Sequence, residues 1–97
     1  MGTLLKTRVR GGILTITERE LLLGEGWLGT QNVKHIPIHL IIGVDLQPSP
    51  SERLLNRSTL LRLVWGDGNV TEVDGIGPIA AQRVRDLLRT LSKKEAQ

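Results

Sequence analysis

The strongest constraint on the fold lies near the C-terminus, where Gly66-Asp67-Gly68-Asn69 separates two strand-like runs, Leu60 to Trp65 and Val70 to Val73. Asp-Gly between such runs supplies the positive φ that a tight hairpin requires, so the segment is expected to fold back on itself as two antiparallel strands. After Asp74-Gly75-Ile76-Gly77, Pro78 suits the first position of a helix, because its missing N–H would have no helical partner there. Ala80, Val84, Leu87, Leu88 and Leu91 recur at helical spacing as one apolar stripe, and Arg85, Arg89 and Lys93 lie on a polar face. The spacing predicts a helix from about Pro78 to Ser92. Lys93 and Lys94 close it where its dipole favours cations.

Upstream the period changes from helical to two. Lys6, Arg8 and Arg10 alternate with Leu5, Thr7 and Val9, a strand pattern. Gly11-Gly12 offers a turn into the β-branched run Ile13 to Thr17. A second turn is expected near Glu18-Arg19, and Glu20 to Leu23 resumes as a strand ending in the glycine-spaced stretch Gly24 to Gly29. From Val33 to Leu46 the chain is apolar again, with Ile36, Ile38, Leu40 and Ile42 expected on one face. Pro37 demands an edge, bulge or boundary there. The stretch Gln47-Pro48-Ser49-Pro50-Ser51 reads as the start of an exposed loop reaching about Arg57, with Leu54 and Leu55 forming a helical turn or docking the loop on the core.

A chain of 97 residues supports one domain with one modest core. That core must be aliphatic, since the chain has two tryptophans, Trp27 and Trp65, and neither Phe nor Tyr. Few aromatic platforms are therefore on offer for stacking nucleobases or anchoring peptides. The formal charge of +3 is mild and spread along the chain, far from the dense basic stripe of a dedicated DNA binder. Without cysteine there are no disulfides, thiolate zinc sites or thiol chemistry. No apolar run approaches the ~20 residues of a transmembrane segment, which predicts a soluble, cytoplasmic chain, able to sit at the periphery of a membrane. No phosphate loop, paired carboxylates or Ser-His-Asp order is visible, so neither an enzyme nor a cofactor is expected.

Seven candidate strands followed by one helix, with the motifs they carry, resemble the bacterial pleckstrin-homology-like domains. Gly12-Ile13-Leu14-Thr15-Ile16-Thr17-Glu18-Arg19-Glu20-Leu21-Leu22 looks like their glycine, apolar, Thr-x-x-Arg, apolar hairpin, and Ile36-Pro37-Ile38 with Ile41, Val44 and Leu46 resembles their Ile-Pro-apolar strand. The resemblance covers nearly the whole chain. It implies a mainly β bent barrel of about seven antiparallel strands capped by the C-terminal helix, acting as a non-enzymatic interaction module. Its partner would be a protein or a second copy, or, as the weaker choice, an anionic lipid surface. The departures are the missing Phe and Tyr, and the lack of the helix tryptophan typical of eukaryotic members.

Four candidate sites follow. Lys6, Arg8 and Arg10 share one strand face, and by the resemblance they are candidates for an anionic ligand; the plain alternative is a solvated face whose charges deter edge pairing. Gly75 to Val84 resembles the second half of a helix-hairpin-helix motif, which would make Gly75, Gly77 and Arg83 contacts to a DNA backbone. The β-branched run Val70 to Val73 stands where its first helix belongs. His35 and His39, four apart and without a nearby carboxylate, make no persuasive metal site. The loop from Gln47 to Arg57 is the last candidate.

Overall fold

The computed structural model describes residues 2–48 and 58–96, and they form two antiparallel sheets and one helix. The first sheet has the order β1 (Leu5–Val9), β2 (Gly12–Ile16), β3 (Glu20–Glu25), β4 (Gln31–Pro37). A 3₁₀ turn, Ile38–Leu40, leads into the second, of order β5 (Ile41–Pro48), β6 (Thr59–Trp65), β7 (Asn69–Ile76). Helix α1 (Pro78–Ala96) follows. Among the described residues no ladder closes the two sheets into one continuous barrel. They meet at β1 and β7, where the Arg10 N–H donates to the Asp74 carbonyl at 2.9 Å.

Local chemistry accounts for most of the turns. The β6–β7 hairpin pairs Trp65 with Asn69 around Gly66-Asp67-Gly68, whose two glycines take φ of 61° and 91°. At the first hairpin Val9 pairs with Gly12, so the turn residues are Arg10 and Gly11, one position earlier than the Gly-Gly pair suggests. Gly12 is a buried strand residue instead, and a Cβ there would strike the Gly24 carbonyl of β3. The glycine-free β2–β3 turn is held by Thr17, whose hydroxyl accepts from the backbone N–H of Arg19 at 3.3 Å and of Glu20 at 3.2 Å.

The core lies between the sheets and under the helix. Leu14, Ile16, Leu21 and Ile36 from the first sheet meet Leu61, Leu63, Val73 and Ile76 from the second, all buried. Val84, Leu88 and Leu91 close over them, with Ala80 and Leu87 half-buried beside them as the stripe requires, and Ala81 is buried as well. Each fully buried aliphatic side chain contributes about 1.5–3 kcal/mol of transfer free energy. The helix begins at the corner made by Gly77, whose carbonyl accepts from the Ala81 N–H at 2.8 Å, and runs one turn past Ser92.

Three expectations are corrected. Ile36 and Ile38 are buried but Leu40 and Ile42 are exposed, because the 3₁₀ turn and a bulge between Ile41 and Gly43 break the strand period. Gln47 and Pro48 end β5 and are not loop residues, while Ser49 to Arg57, with Leu54 and Leu55, lie outside the described residues. Asp74-Gly75-Ile76 belongs to β7, where Ile76 pairs with Thr59.

Candidate functional site

The three candidate cations do not act alike. All are exposed, Lys6 and Arg8 on β1 and Arg10 in the turn that follows it. Arg10 is drawn to the junction with β7: its guanidinium Nε lies 3.3 Å from a carboxylate oxygen of Asp74, whose other oxygen accepts from the Gly75 N–H at 2.8 Å. Arg8 lies over the Trp27 ring, 4.3 Å from its centroid, and donates to the Trp27 carbonyl at 3.3 Å. Among the described residues no hydrogen bond, ion pair or ring contact holds Lys6. A single anion pocket is therefore not assembled from Lys6, Arg8 and Arg10.

The glycine corner is also partly occupied from within. Gly75 has φ of 74°, and a Cβ on it would lie 2.7 Å from the Arg10 Cβ, so glycine is needed for the close approach of β7 to β1. Its N–H, one of the groups a DNA phosphate would seek, is already taken by Asp74. Gly77 and Arg83 are exposed, and β7 runs as a strand through Val70 to Val73.

His35 and His39 separate. His35 stands on β4 with Nδ1 2.8 Å from a carboxylate oxygen of Glu20, the neighbour the sequence reading missed because β3 and β4 pair Leu22 with His35. His39 belongs to the 3₁₀ turn, and no metal-binding cluster of three His, Cys, Asp or Glu side chains occurs among the described residues.

What sequence reasoning did not see is a groove beside β5. This strand pairs only with β6 among the described residues, so it is an edge, and α1 runs along it. Between them lies a hollow of about 420 Å³. Ile42, Gly43 and Val44 form one wall, and Leu88, Arg89 and Lys93 the other. A second hollow of about 380 Å³ lies toward the other end of β5, between Gln47, Pro48 and the helix residues Pro78 and Gln82. The helix thus lies antiparallel to β5, with its cationic end beside Ile42. The groove has an apolar floor, a main-chain edge and a basic rim. Its one sequence signal is Ile42, which is 71% exposed and out of phase with the buried positions around it.

Comparison with protein-family models, with curated proteins and with solved structures gave no match, so function must be read from this geometry.

Proposed function

We propose that this chain is a non-enzymatic interaction module that binds an extended segment of a protein partner along the β5–α1 groove. The observation that carries the reading is the pairing of an edge strand with a parallel-running apolar trough. Main-chain N–H and C=O groups on a strand edge can bond an added strand, and the trough can receive alternate side chains of that strand. β5 is eight residues long, enough to register a peptide of similar length at about 3.3 Å per residue. Arg89 and Lys93 at one end favour a segment with acidic residues next to its apolar anchors.

The order of four strands, three strands and a helix is what a pleckstrin-homology-like bent barrel would need, with α1 covering one open end. That architecture is part of the same proposal, as is a cytoplasmic setting in which such a partner would be met. We prefer it to DNA binding because a helix-hairpin-helix requires a helix where β7 runs, and because Asp74 places a carboxylate at the corner a phosphate would approach.

Peptide selection from a random library, followed by NMR mapping, tests the reading. Selected peptides should pair apolar with acidic residues, and amide shifts should concentrate on Ile41 to Val44 and Leu88 to Lys93. Ile42→Glu, at an exposed position, should abolish binding without unfolding the protein. Peptides whose shifts map to another face, or whose affinity ignores Ile42→Glu, would refute the groove.

A further inference from the structure

A second surface stands apart from the groove, at the connection between β3 and β4. Gly26 to Gly29 is a tight turn closed by a hydrogen bond from the Gly29 N–H to the Gly26 carbonyl at 3.1 Å. Its two central residues are Trp27 and Leu28, 77% and 70% exposed. Turn centres are ordinarily polar or glycine, so two large apolar side chains there run against the local rule. Breaches of that kind concentrate at functional positions.

The turn is also held in place rather than left loose. Gly26 and Gly29 take φ of 89° and 68°. The Gly26 N–H donates to the Gly11 carbonyl of the first hairpin at 2.9 Å. Gly29 is seated so closely on Ile13 that a Cβ would come within 2.8 Å of the Ile13 Cβ. Arg8 grips Trp27 from below through its ring and its carbonyl. The result is a preformed apolar projection with a cation against its aromatic ring and a second cation, Lys6, two residues along the same strand face.

We propose that the Trp27-Leu28 turn is a membrane-interface anchor that enters the headgroup region of an anionic bilayer while Lys6 and Arg8 meet the lipid charge. Three features select this occupant. Tryptophan and leucine beside cations suit the water–lipid boundary, where an amphipathic indole is at home. The tip is convex and two side chains wide, well below the ~800 Å² per partner of a stable protein interface. The β5 trough would not receive the tip of a second copy, because its rim of Arg89 and Lys93 would set cation against cation.

Sedimentation with phosphatidylglycerol-rich and with purely phosphatidylcholine vesicles at low salt, together with tryptophan emission, tests the anchor. The protein should partition onto the anionic vesicles only, with a blue shift on binding that raised salt reverses. Trp27→Ser with Leu28→Ser should lower the partition coefficient more than tenfold, and Lys6→Gln about fivefold. Trp27→Phe should still bind but lose the blue shift, since Trp65 then reports alone from its half-buried site. Several results would overturn the proposal: no binding to anionic vesicles at low salt, equal binding of the double serine variant, binding of the wild type without a blue shift, or competition by inorganic phosphate stronger than that of chloride at equal ionic strength. Loss of an acidic protein partner in the serine variant, with vesicles ignored, would also overturn it.

Discussion

Gly24→Ala is a small change with a large expected consequence. In β3, Gly24 faces the carbonyl of Gly29, and an added Cβ would strike that oxygen while lying only 2.6 Å from the Gly29 carbonyl carbon. The obstruction is backbone, which cannot swing aside as a side-chain tip could. Gly29 cannot retreat freely either, because it is bounded by Ile13 and fixed by its bond to Gly26. The cost should resemble overpacking of a core, about 1–3 kcal/mol. For a domain of this size that lowers Tm by roughly 5–20 °C. Gly43→Ala is the matched comparison: no contact at its Cβ is closer than 3.7 Å, and in a strand the exchange should change stability by no more than about 1 kcal/mol, in the favourable direction. Urea and thermal unfolding followed by circular dichroism would measure both. If Gly24→Ala were as stable as the wild type, the seating of the turn on the sheet would be wrong, and with it the preformed character of the Trp27 tip.

Other substitutions separate the remaining contacts. Leu14→Ala, at a position with 0% exposure, should cost about 2–5 kcal/mol in urea unfolding; a loss under 1 kcal/mol would mean that the two sheets do not pack across it. Thr17→Ala removes the acceptor of two backbone N–H groups and should cost about 1 kcal/mol, while Thr17→Ser should restore most of it. Asp74→Asn keeps an acceptor for the Gly75 N–H and weakens the partly solvated ion pair with Arg10, about 0.5 kcal/mol, whereas Asp74→Ala also leaves that N–H without its acceptor and should cost about 1–2 kcal/mol; equal effects would contradict the role given to the Gly75 bond. Duplex DNA should show no salt-sensitive mobility shift with this protein, and a shift abolished by Gly77→Glu would reverse that ranking.

How far the fold could be read in advance depended on whether the governing interaction was local. The β6–β7 hairpin was legible because Asp67 and Gly68 carry its geometry within the turn itself. The helix was legible because Val84, Leu88 and Leu91 repeat at its own period. The continuation of β7 through Gly75 was not, since glycine there marks a meeting with Arg10 in the distant first hairpin turn, not the loop it resembles. Leu40 and Ile42 were misplaced because a 3₁₀ turn and a bulge each shift the phase: Pro37 marked a break there but not which of the following side chains it would turn outward. The sites followed the same division. Lys6, Arg8 and Arg10 were visible, but the capture of Arg8 by Trp27 and of Arg10 by Asp74 was not, because those partners come from a distant turn and a distant strand. The groove required knowing that β5 is an edge and that α1 lies along it, and both are properties of the whole topology.

The junction at Arg10, Asp74 and Gly75 makes the first and last strands depend on each other. Bringing them together closes a loop of roughly 60 residues, an entropic cost of about 4 kcal/mol that only long-range contacts can repay. A seam of that kind is suited to form late in folding, after each hairpin has found its own register. Once formed, it is the place where the structure would begin to come apart. Damage at either end of the chain would then be felt at the other, and amide exchange at Arg10 should report on the loss of β7.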